Sequence, residues 1–145
     1  MKETGAEERA RQIAREHGML HGLARELRAA LDTPKGSEQR AALKDLVASF
    51  HGHLARHFVL EEEGGYLGGA DAYSPGVERK LATLMGQHAD LLARVGVIRT
   101  HLRGQDATAG IEEELLSVLD DLAGHEAAEN ALLEELFSRD SGVGD

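Results

Sequence analysis

Two His-x-x-x-Glu pairs, His57/Glu61 and His125/Glu129, fall inside the apolar stripes of two predicted helices. His17 and His88 hold matching places in two others. Four residues along a helix advance about 6 Å and turn through little more than one revolution, so each glutamate shares its histidine's face. Ionisable groups on core-facing stripes are costly to bury unless something pairs with them. A pair of metal cations would do so. Imidazole suits iron, zinc and copper, and a carboxylate can bridge two cations while offsetting their charge.

Four helical segments must position these groups. The first is predicted over residues 7–31, with Ile13, His17, Leu20, Ala24, Leu27 and Leu31 at three- and four-residue steps. Pro34 and Gly36 end it, and Ser37 is the expected cap of the next. The second covers 38–63, with the stripe Leu43, Val47, Phe50, Leu54, His57, Glu61. A glycine-rich loop follows, ending at Ser74-Pro75, a strong N-cap and first-turn signal. The third covers 75–103, striped by Leu81, Leu84, His88, Leu91, Val95, Ile98 and Leu102. The fourth covers 110–138, opened by Glu112, Glu113 and Glu114 and striped by Leu115, Val118, Leu122, His125, Glu129, Leu132 and Leu136. Gly18, Gly22, Gly86 and Gly96 weaken the first and third helices unless they serve close helix contact.

Helices of about 25 residues with short connections imply an all-α, up-down antiparallel four-helix bundle forming a single domain over 1–145. In such a bundle, residues equidistant from a connecting loop share a height. His17 and His57 are centred on residue 37, His57 and His88 between Ala72 and Tyr73, and His88 and His125 between Asp106 and Ala107. Each midpoint lies in or beside a predicted loop, so the four imidazoles should converge at one level. Leu20, Leu84, Leu91 and Leu132 should wall the site and limit solvent access. His51 and His101 lie off their stripes and read as solvated. His53 rivals His57, being one turn earlier, but only His57 has Glu61 in register. Glu62 and Glu63 read as a solvated helix end, and Tyr66 and Tyr73 as packing residues of the long loop.

Composition narrows the setting. With no cysteine, disulfides, thiolate metal sites and cysteine nucleophiles are excluded, in keeping with a reducing compartment. A net charge of −10 repels phosphate backbones and argues against nucleic-acid partners. No apolar run reaches membrane-spanning length and the N-terminus has no apolar signal core, so the expected setting is the cytoplasm, away from membranes.

The whole pattern resembles the hemerythrin-like, or HHE cation-binding, domain family. The residues that carry the likeness are Glu16-His17, His57-Phe58-Val59-Leu60-Glu61-Glu62, Gln87-His88 and His125-Glu126-Ala127-Ala128-Glu129-Asn130, in order on four helices from about residue 10 to 138. The resemblance implies a non-haem di-iron centre, oxo- or hydroxo-bridged, with Glu61 and Glu129 as bridging carboxylates; zinc or another divalent metal is the expected substitute. Respiratory hemerythrins carry His-x-x-x-His on the third helix, whereas here His88 is followed four residues later by Leu92. His17 and His21 form that spacing on the first helix instead. One iron is therefore assigned to His17, His21 and His57 and the other to His88 and His125. Without His21 the set is symmetric, and Glu126 is the candidate to complete the second iron.

The implied function is binding of dioxygen or another small diatomic, for carriage, storage, scavenging or sensing. The alternatives are a di-iron enzyme consuming peroxide or nitric oxide, and a protein of iron or metal storage and homeostasis. A histidine-rich site favours ligand binding over oxygen activation, whose sites carry more carboxylates. The expected small ligands are dioxygen, nitric oxide or peroxide, and the chain is expected to be a monomer or homodimer.

Overall fold

A computed structural model of the chain describes residues 5–32, 36–64, 74–104 and 109–142. Tyr66, Tyr73 and the Pro34 turn lie outside the described residues, as does the side chain of Leu136. The helices are α1 (Gly5–Leu31), α2 (Ser37–Val59), α3 (Pro75–Arg103) and α4 (Ala109–Gly142). No strand occurs among the described residues. Each helix packs on two neighbours, α1 on α2 and α4, and α3 on α2 and α4, which closes a four-helix bundle.

Local chemistry explains the helix ends. Ser74 caps α3, its hydroxyl accepting the Val77 N–H at 3.3 Å, and Pro75 opens the first turn, where its missing N–H costs nothing. At α2 the cap is Gly36 rather than Ser37, which is already helical. The Gln39 side chain reaches back to accept the Gly36 N–H at 3.1 Å, half of a capping box, and so moves the cap one residue upstream. The predicted second helix also changes character before its end. Residues Leu60–Gly64 form one π turn, a widened turn that often marks functional sites. A Cβ on Gly18, Gly22 or Gly86 would meet nothing within 4 Å, so these glycines serve no close helix approach.

A polar layer divides the apolar core. On one side lies a large cluster including Leu20, Leu27, Val47, Phe50, Phe58, Leu91, Val95 and Leu122. On the other lies a smaller one of Ile13, Val77, Leu81, Leu84, Leu132 and Leu133. Between them in three of the helices sit charged or polar positions: His17 between Ile13 and Leu20, His88 between Leu84 and Leu91, His125 and Glu129 between Leu122 and Leu132. Leu20 and Leu91 therefore cover the layer from one side and Leu84 and Leu132 from the other.

Candidate metal centre

His17, His57, Glu61, His88, His125 and Glu129 are all buried, with the two glutamates fully so. Their donor atoms form two groups, each with its atoms within 4.8 Å of one another. One group is His17, His57, Glu61 and Glu129; the other is Glu61, His88, His125 and Glu129. Glu61 and Glu129 belong to both. The contacts run from His125 Nε2–Glu129 Oε1 at 3.1 Å, through His17 Nε2–Glu129 Oε1 and His88 Nε2–Glu61 Oε1 at 3.3 Å and His57 Nε2–Glu61 Oε1 at 3.5 Å, to His17 Nε2–Glu61 Oε2 at 3.8 Å.

These short contacts lack hydrogen-bond geometry. The Nε2 atoms of all four histidines and all four carboxylate oxygens of Glu61 and Glu129 are buried without a hydrogen-bond partner. Orphaned buried polar atoms are rare in native proteins because each forfeits its solvation. Eight of them facing one another match the donor set of a cation pair: nitrogen from four sides and two carboxylates between. The residues present fit such a pair.

The outer edges of three of the imidazoles are held separately. His17 Nδ1 lies 3.1 Å from Asn130 Oδ1, His57 Nδ1 3.4 Å from Glu16 Oε1, and His125 Nδ1 2.6 Å from Gln87 Oε1. A ring that donates Nδ1–H to these oxygens directs the Nε2 lone pair inward, the tautomer a metal ligand needs. His88 Nδ1 is 3.6 Å from Glu62 Oε2, too far for a direct bond. Phe58 stacks on the His88 ring instead, centroids 3.8 Å apart and planes 6° from parallel.

Electrostatics without a cation show what the donors demand. Burial opposes charge on His17, but the adjacent Glu129 and Glu61 carboxylates outweigh it and push His17 up to about 10. Burial likewise opposes charge on His57, and Glu61 outweighs it, raising His57. Glu61 is itself held well below the usual carboxylate range, because His17, His57 and His88 overcome its burial. The buried carboxylates thus favour positive charge on the imidazoles around them.

Six of the seven proposed ligands come together. His21 does not join them: its side chain is 56% exposed, and its Nε2 lies 3.0 Å from Glu126 Oε2. Glu126 is buried and stands outside both four-residue groups. It flanks His17 and His57 rather than the His88/His125 position, since the His21 it meets lies one turn beyond His17 on α1. Burial pushes its carboxyl up to about 7. His53 bonds Arg56 at 3.0 Å and remains outside the layer. His101 is exposed, but His51 is half-buried between α2 and α3, where burial and Arg99 lower its pKa.

Sequence reasoning did not assign roles to Glu16, Gln87, Asn130 and Phe58. The available signal was adjacency, because each of them directly neighbours a ligand candidate in the chain. A groove of about 450 Å³ between α1 and α2, lined by Glu16, Met19 and Arg56, reaches His57. A groove of about 380 Å³ between α3 and α4 reaches His125. A larger cavity of about 620 Å³ near Val97 and Ile111 shares no residue with the centre.

No curated protein and no solved structure matches the chain. A family model described as the Hemerythrin HHE cation binding domain matches residues 9–137. That span contains all four helices' contributions to the polar layer, and a cation-binding family explains why eight buried donor atoms face one another. The chain belongs to the hemerythrin HHE cation-binding domain family.

Proposed function

We propose that the chain is a non-haem di-iron protein that binds dioxygen or another small diatomic reversibly. The observation that carries this reading is the sharing of Glu61 and Glu129 between two donor groups. Two shared carboxylates suit two adjacent cations, and each cation would draw two imidazoles and two carboxylate oxygens from the groups described. Four protein donors leave an octahedral metal such as iron with open positions. Iron would supply the redox chemistry that holds a diatomic. The chain's own part is to fix the imidazoles through Asn130, Glu16 and Gln87, and to keep bulk water away with the apolar clusters on either side. The preponderance of histidine over carboxylate favours binding over oxygen activation.

Iron-loaded protein cycled between argon and air tests this. The reading expects an absorption change that appears in air and reverses under argon over repeated cycles. Irreversible oxidation on first exposure, with no change under nitric oxide either, would contradict it. Sustained consumption of peroxide far beyond the protein's own concentration would favour an enzyme.

A further inference from the structure

An internal two-fold relation runs through the centre. The α1–α2 half matches the α3–α4 half: His17 with His88, His57 with His125, Glu61 with Glu129, Glu16 with Gln87 and Glu62 with Asn130. The geometry repeats as well. The His17 and His57 rings lie 4.7 Å apart at 65°, and the His88 and His125 rings 4.9 Å apart at 68°. Two matched positions break the pattern. Glu126 corresponds to Phe58, each directly following its histidine, and His21 corresponds to Leu92, each four residues after its own.

The break divides by half-site. Phe58 lies flat on His88 and edge-on to His125 at 5.7 Å, so one position is walled by an aromatic ring. Leu92 packs on the apolar cluster that contains Phe58. The other half carries a carboxyl in place of that ring. Glu126 is 3% exposed, its Oε2 has no well-formed hydrogen bond, and the half-exposed His21 stands over it.

From this broken symmetry we propose that the two cation positions are unequal, the His17/His57 position filling first and holding its cation more tightly because Glu126 flanks it. The inference rests on the cation-pair reading above. Both positions share Glu61 and Glu129, and each has one outer carboxyl, Glu16 behind His57 and Glu62 behind His88. Glu126 is therefore the unmatched acid. An additional buried carboxyl beside a divalent ion adds an attraction that water screens little.

The test is an air-free titration with Co2+, whose visible absorption reports its ligands, on wild type and Glu126→Gln. The wild type should take two equivalents with affinities at least about tenfold apart. Glu126→Gln should weaken the tighter step by about tenfold and leave the weaker within about twofold. Wild-type crystals given one equivalent of Co2+ supply an arm that needs no variant: anomalous scattering should sit beside His17 and His57. Two equivalents bound alike, or equal scattering at both positions, overturns the inference and leaves the cation pair standing. An unchanged tighter step in Glu126→Gln overturns it too. Fewer than two equivalents in the wild type would remove the cation pair itself.

Discussion

Three of the four imidazoles in this centre, those of His17, His57 and His125, are gripped at one nitrogen and free at the other. The grip comes from an oxygen on another helix: Asn130 on α4 holds His17 on α1, and Gln87 on α3 holds His125 on α4. The shortest of these contacts, 2.6 Å from His125 to Gln87, should matter most. Gln87→Leu is expected to lower metal affinity by about 10- to 100-fold while the helix content stays unchanged, measured by competition against a chelator. Unchanged affinity would mean that packing alone orients His125. The ligand candidates were legible because ionisable residues stood in apolar stripes at matched heights. Their holders were not, because spacing reports a residue's own face and not which neighbouring helix it meets. Glu126 shows the same limit: it follows His125, yet its carboxyl flanks the other half of the centre. His21 had the right spacing from His17, but its side chain emerges toward solvent on the α1–α4 side.

At the scale of elements, the stripes and stop signals located all four helices to within a few residues. Two details escaped, and both arise from interactions that a periodicity does not contain. The α2 cap moved to Gly36 because Gln39 reaches back to it, and the last turn of the second segment widened into a π turn. The caps yield a paired prediction. Ser74→Ala removes a hydroxyl that accepts the Val77 N–H and should cost about 1 kcal/mol in urea unfolding. Ser37→Ala, inside the first turn with no capping bond of its own, should change stability by less than about 0.5 kcal/mol. A larger loss at Ser37 than at Ser74 would reverse the cap assignment.

For the molecule as a whole, the polar layer couples folding to its cations. Without them, four shifted groups of the layer set the pH dependence, and His57, raised like His17, adds to the same trend. The His17 contribution is fully present below the unfolded value of 6.5 and is lost as pH rises through about 10. Glu126, an acid held up to about 7, favours the folded state below 4.5 and loses that advantage as pH rises through about 7. Glu61 works the other way: its contribution is present above 4.5 and is lost as pH falls. Chelator-treated protein should therefore melt at a higher temperature near about pH 5.5 than near about pH 9. Metal-loaded protein should show the opposite order, because neutral imidazole and ionised carboxylate bind the cations and acid displaces them. Parallel pH trends with and without chelator would contradict the coupling. Among the described residues, no helix is long and apolar enough to cross a membrane.

The shared carboxylates bear most directly on the account. Metal content per chain, determined on iron-loaded wild type and on Glu61→Gln after removal of free metal, tests them together. Two irons per wild-type chain and fewer than about one in the variant are expected, since Glu61 serves both donor groups. A wild type that holds one iron or none, or a variant that keeps both, would contradict a carboxylate-bridged pair.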